Sequence, residues 1–188
     1  MTTSHRRVLF LVGPPGVGKT SVARRLIGPD PILIPKPKWT ISQNGRVTAA
    51  GHYTGATFDG SDTVPYNAAA QALDYWIRHS KAEFTIFDGD RFSNQNAIIT
   101  VEAAIGPDNV SCLYLGADPA SLAERRAKRG SNQNVSWMAG RATKSANVAE
   151  RFRGLGRLIG NLDTTGMTVD DICEVLDNAK FGPRALLT

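Results

Sequence analysis

The residues best placed to do chemistry lie near the amino terminus. Gly13-Pro14-Pro15-Gly16-Val17-Gly18-Lys19-Thr20 fits G-x-x-x-x-G-K-[ST] at every fixed position. A polyphosphate needs many N–H donors at close range, and glycines let a backbone wrap it without Cβ clashes. A helix opening at the end of the loop adds its free amides and dipole. Lys19 then reaches the β- and γ-phosphates, the Thr20 hydroxyl holds Mg²⁺, and the nucleotide-binding run extends to Ser21. An apolar run before the loop and a helical pattern after it supply the context this motif requires.

A second station follows Phe84-Thr-Ile-Phe, an apolar run that ends in Asp88. A carboxylate at a strand end can help hold Mg²⁺ beside bound phosphates. Gly89 keeps the turn tight, and Asp90 adds a second carboxylate, next to Arg91. Two carboxylates this close can divide the work, one on the metal and one on a substrate or as a base. The alternative is a turn whose aspartates cap the next helix.

The third feature is a charge imbalance. Residues 125–149 contain no Asp or Glu but hold Arg125, Arg126, Lys128, Arg129, Arg141 and Lys144. Arg125 and Arg129 are spaced to share a helix face. Such a segment either faces an anion or is a solvated basic face. In the first case Arg125 and Arg129 would stabilise charge that develops on a phosphoryl group in flight.

These residues need elements to hold them. Periodicity predicts strands at 6–12, 32–34, 84–87 and 110–115, and helices at 21–27, 66–80, 93–105, 118–129, 143–158 and 169–179. Residues 130–140 read as a polar loop. Strands alternating with helices imply a parallel sheet wrapped by helices. Asn44-Gly45 between two β-rich runs predicts a hairpin, read as an insertion within residues 35–62, with Gly51, Gly55 and Gly60 making a flexible acceptor loop after it. Between Pro31 and Thr57 no acid occurs, whereas Lys36, Lys38, Arg46, Trp39, His52 and Tyr53 do. Basic residues with aromatics suit phosphates and a stacked base, so Trp39, Tyr53 and Arg91 are candidate substrate contacts. The alternative is that Trp39 and Tyr53 pack the hairpin onto the core.

The chain has 188 residues, is 41% hydrophobic and 21% charged, and carries a formal charge of +5. That balance excludes disordered, collagen-like and coiled-coil classes, and the length predicts one domain over 1–188. No apolar run reaches the ~18 residues of a membrane span, and the run 8–12 is too short for a signal-peptide core. The expectation is a cytoplasmic protein without a membrane partner. Cys112 and Cys173 have no Cys or His at ligand spacing and read as buried thiols.

The order of parts resembles the small kinase branch of P-loop proteins: phosphate loop, short second strand, Asp-ended strand, arginine helix, lid, then Asn161-Leu-Asp163-Thr164-Thr165-Gly166. The resemblance spans nearly the whole chain. It implies an α/β three-layer sandwich on a five-stranded parallel sheet, with the Asp-ended strand beside the P-loop strand and an arginine-rich lid at 125–149. It also implies ATP and Mg²⁺, with transfer of the γ-phosphoryl to a hydroxyl. A narrower resemblance rests on residues 44–47, 51–55, 59–63 and 87–92, which look like those of bacteriophage kinases of thymine hypermodification. That implies a partner DNA carrying 5-hydroxymethyluracil, and the host cytoplasm as the compartment. A kinase of a free nucleoside, nucleotide or other small molecule, a kinase of a polynucleotide 5′-hydroxyl, and a nucleotide-binding module without transfer stand as the other readings.

Overall fold

The computed structural model describes residues 6–36, 39–55, 59–131 and 133–179. β1 (Arg7–Val12) is buried on both faces: Val8, Phe10 and Val12 point one way, Leu9 and Leu11 the other. A strand apolar at every position from Val8 to Val12 needs cover on both sides, which a parallel sheet between helices provides. One face carries α2 (Ala69–His79), α3 (Gln95–Ile105) and α5 (Val135–Gly154), packed through Trp76, Ile98 and Phe152. The other carries α1 (Lys19–Ile27), α4 (Pro119–Lys128) and α6 (Val169–Asn178), packed through Leu26, Leu122 and Leu176.

The sheet has seven strands, where five were expected. With β2 (Ile32–Pro35), β3 (Thr40–Asn44), β4 (Val47–Ala50), β5 (Phe84–Asp88), β6 (Val110–Gly116) and β7 (Leu158–Asp163), the order is β2-β3-β4-β5-β1-β6-β7. β4, β5, β1, β6 and β7 run parallel, and β5 lies beside β1 with Asp88 opposite Leu11. β2 and β3 extend the edge antiparallel.

The hairpin is therefore no insertion. Its second strand is a parallel member of the sheet, and its first strand continues the sheet outward. Its register also differs from the simple Asn-Gly reading. Asn44 pairs with Val47, so the two loop residues are Gly45 and Arg46. Only Gly45 takes a positive φ, 53°, which is the pattern of a turn with glycine at its first central position.

Two further expectations change. Residues 130–140 are not all loop: Asn134 caps α5 by accepting from Ser136 N and Trp137 N, so the helix begins at Val135. Its carboxyl end comes at Gly154, and residues expected to be helical at 158 start β7. The segment after β4 is tied rather than loose. His52 bridges Gly60, and Asp59 accepts from Thr54 N and Gly55 N while pairing with Arg24 at 2.8 Å.

All parallel strands end at one edge of the sheet. Gly13, Gly51, Asp88, Gly116 and Thr164 follow or close those ends, which is where open α/β sheets bind ligands. Trp76 anchors the helical cover nearby: its indole N–H donates to Thr85 Oγ1 at 2.9 Å, and its ring meets Phe87 edge-on at 5.3 Å. Trp76→Ala should lower unfolding free energy by about 3–5 kcal/mol. The expected readout is a lower urea midpoint with an unchanged m-value.

Candidate functional site

A cleft opens above the carboxyl ends of β1 and β5. It is lined by the glycine loop, Lys19, Thr20, Ser21, Asp62, Asp88 and Asp90 below, and by Arg126, Arg129, Trp137 and Arg141 above. The loop is held at its start by tertiary contacts. Ser145 Oγ donates to Gly13 O at 3.1 Å, and a Cβ on Gly13 would stand 2.2 Å from Leu115 O. α1 begins at Lys19, two residues before the sequence expectation, with Gly18 in a left-handed conformation at its cap. No side chain caps that end and its first turn carries no acid, so its amides are free for an anion in the cleft.

Lys19 folds over the loop and donates to Gly13 O at 2.8 Å and Pro14 O at 2.9 Å. Burial pulls its ammonium down to about 8, against the opposing pull of Asp88 and Asp62. A phosphate arriving here would return charge to a group the fold has made easier to deprotonate.

Asp88 is 2% exposed and surrounded by donors. Its Oδ1 accepts from the Tyr53 hydroxyl and from Ser61 N at 3.0 Å; its Oδ2 accepts from Thr20 Oγ1 at 2.8 Å. Ser61 Oγ also donates to the Asp88 carbonyl. Gly60 makes the approach possible: a Cβ there would lie 2.7 Å from Thr20 Cγ2 and 3.0 Å from Asp88 Oδ2. Thr20 and Asp88, 68 residues apart in the chain, thus present hydroxyl and carboxylate oxygens side by side. An all-oxygen pair suits a hard cation such as Mg²⁺, which binds through few protein ligands and phosphates.

Asp90 stands two residues on and is held differently. Arg141 pairs with its Oδ2, the Tyr66 hydroxyl donates to the same oxygen at 3.1 Å, and Lys144 Nζ lies 3.6 Å away. Lys144 also donates to the Asp90 carbonyl at 3.1 Å. The two carboxylates are therefore unlike: one is locked among neutral donors, the other sits among cations at the cleft.

Several expected contacts fall elsewhere. Arg125 turns away from the cleft and donates to Val17 O, Thr164 Oγ1 and Thr164 O, tying α4 to the loop and to the end of β7. Arg126 takes the place over the loop instead, donating to Pro15 O at 3.2 Å, with its side chain 2.9 Å from where a Gly16 Cβ would be. The helical spacing put Arg125 with Arg129, but Arg129 lines the cleft with Arg126 and Arg125 does not. Tyr53 is 1% exposed and its hydroxyl donates to Asp88, which gives it a positioning role beneath the cleft. Trp39 is partly buried against the α2 side of the core and does not line the cleft.

The cations expected on a polynucleotide do not gather either. Arg46 pairs with Glu83 at the start of β4 and β5, the end of the sheet away from Asp88. Lys36 lies over the Tyr75 ring at 4.2 Å, and Lys38 is outside the described residues. Arg91 stacks on Tyr66 at 3.6 Å and donates to Asp62 O at 3.2 Å. Sequence reading missed Gly60, Ser61 and Tyr66 as parts of the site. The only available signal was the acid-and-glycine run 59–63.

No protein-family model matches the sequence, and no curated protein matches it. Solved structures do. A gluconokinase from Sinorhizobium meliloti 1021 is 13% identical with a TM-score of 0.53, over 97% of each chain. The Deinococcus radiodurans tunicamycin resistance protein is 17% identical with a TM-score of 0.48, over 92% of this chain and 95% of that one. The first likeness shows that the fold is shared end to end with the gluconokinase. Cys112 and Cys173 are both buried. Among the described residues no helix is long and apolar enough to cross a membrane.

The lowered Lys19 carries a sign that can be tested. Between about 8 and the ordinary 10.5, the unfolded chain binds more protons at this position than the folded one. Stability from this group therefore rises with pH across that window. Lys19→Met should flatten the rise, measured as the difference in urea-unfolding free energy between about pH 7.5 and about pH 10.

Proposed function

We infer that this protein is a phosphotransferase that moves the γ-phosphoryl of ATP to a hydroxyl acceptor. The observation that carries the reading is the hydrogen bond between Thr20 and Asp88 at the foot of a cleft roofed by arginines. The glycine-loop amides and the open start of α1 would hold the phosphates. Thr20 and Asp88 would hold Mg²⁺, which when bound neutralises phosphate charge.

The roles of the two carboxylates follow from their partners. Both oxygens of Asp88 already accept hydrogen bonds, so its task is to hold the cation. The acceptor proton falls to Asp90. In transfer, the acceptor O–H bond breaks with its proton passing to Asp90, and the oxygen forms a bond to the γ-phosphorus. The bond from that phosphorus to the bridging oxygen breaks, and its electron pair leaves with ADP. Arg126, Arg129 and Arg141 line the cleft opposite the glycine loop, where they would face bound phosphates and stabilise charge that grows in the transition state.

A second reading directs the same chemistry at 5-hydroxymethyluracil in DNA. It is supported by the segments 59–63 and 87–92, which carry that resemblance and meet at Asp88. Arg46 and Lys36 lend it no support, since both are engaged away from the cleft. The shared fold with a gluconokinase favours a small acceptor, by fold-level analogy.

Labelled ATP offered with free hydroxyl compounds, DNA ends and hydroxymethylated DNA tests the reading directly. Label on any acceptor is the expected result; ATP binding with no transfer would return the chain to a nucleotide-binding module. Among variants, Lys19→Ala and Asp88→Asn should each lose at least ~10²-fold in kcat. Arg126→Ala should lower kcat by about tenfold or more with a smaller change in the KM for ATP. Arg125→Ala should act mainly on stability, by about 1–3 kcal/mol, since it strips donors from buried Thr164.

A further inference from the structure

A second cavity adjoins the phosphate cleft and shares Asp90 with it. It lies between the start of α2, the start of α3 and the middle of α5, and is lined by Tyr66, Asp90, Arg91, Asn94, Thr100 and Lys144. Its volume is about 450 Å³, the scale of a small-molecule site. The cations divide between the two cavities. Arg126, Arg129 and Arg141 line the phosphate cleft, whereas Arg91 and Lys144 line the second cavity and not the first.

Cations gather where the two cavities meet. Arg91, Arg141 and Lys144 surround the Tyr66–Asp90 pair: Arg91 lies over the Tyr66 ring at 3.6 Å, Arg141 at 5.4 Å, and Lys144 is 3.6 Å from Asp90. Arg141 reaches in from the phosphate cleft and pairs with Asp90, and Asp62 faces Arg91. Asp62 is 57% exposed and 3.6 Å from Arg91, a geometry that neutralises little. Asp74, also on the cavity wall, pairs with Arg78. Arg91 itself is only 10% exposed, and its Nε is buried with no hydrogen-bond partner. Among the described residues that Nε lacks an acceptor, while Nη2 of the same guanidinium donates to Asp62 O at 3.2 Å, so the group has one buried donor left to satisfy. Lys144 is also held below its ordinary value, by burial first and then by Arg141 and Arg91, as expected of an ammonium crowded by like charge.

We propose that this cavity is the acceptor site and that it takes a small hydroxyl compound bearing a carboxylate or phosphate. The hydroxyl sits at Asp90, where the two cavities meet, and the anionic group sits between Arg91 and Lys144. The inference rests on the phosphotransferase reading and adds the chemical class of the acceptor. The polar side chains of Asn94 and Thr100 line the same wall and can meet further hydroxyls.

The test uses the full chain with labelled ATP and Mg²⁺. Glucuronate and thymidine 5′-monophosphate are offered beside their neutral counterparts glucose and thymidine, with hydroxymethyluracil DNA as a separate arm. The expected result is label on at least one anionic small molecule, at a kcat/KM at least about tenfold above its neutral counterpart. Arg91→Gln and Lys144→Gln should each raise the acceptor KM by about tenfold or more, while the KM for ATP moves less than about twofold. Arg91→Lys, which keeps the charge, should recover part of the loss and separates binding from misfolding. Label on a neutral compound as readily, on DNA alone, or on none of the panel overturns the proposal, with the phosphotransferase reading intact where transfer or ATP hydrolysis persists. A chain that neither binds nor hydrolyses ATP overturns both.

Discussion

Burying the Asp88 carboxylate constrains everything around it. A charge 2% exposed at the end of a central strand is costly unless donors meet it. The donors come from three parts of the chain: the Thr20 hydroxyl from the start of α1, the Tyr53 hydroxyl from beyond β4, and the Ser61 amide from the returning loop. Meeting the charge therefore fixes where α1 begins, where β4 delivers its successor, and how the 51–63 segment comes back over the sheet. Gly60 is the steric condition for that return, since any Cβ there would strike Thr20.

That arrangement separates two neighbouring carboxylates into different chemistries. Asp88 is satisfied by neutral donors and points one oxygen at Thr20. Asp90 is drawn out among Arg141, Lys144 and Tyr66 at the junction of two cavities. The tight turn at Gly89, whose N–H donates to Leu11 O at 2.9 Å, carries the chain from one setting to the other. The basic run 125–149 then serves two purposes. Some of its cations cover the phosphate loop, and Arg125 fastens α4 to the end of β7.

Much of this was legible in the residues. The glycine motif, Asp88 at a strand end, and the amphipathic pattern of α2 are local signals, and each depends on a few adjacent side chains. The hairpin was legible too, because Asn44-Gly45 punctuates two β-rich runs. Its membership in the main sheet was not, because pairing with β5 is a contact between distant strands. The Asn134 cap was overlooked within a polar stretch that reads equally as loop.

The sequence by itself determined that a glycine loop ending in Lys19-Thr20 precedes a helix, that an acid closes a buried strand, and that an acid-free stretch of cations follows. These are properties of neighbours along the chain, set by backbone freedom, burial period and local charge. Only the tertiary structure decided which arginine covers the loop, that the Tyr53 hydroxyl meets Asp88, and that Arg46 lies at the far end of the sheet. The physical reason is that helical and strand periods give the angle between side chains within one element. They leave open the direction in which that element's face is turned, which is fixed only when distant elements pack and buried charges find their donors.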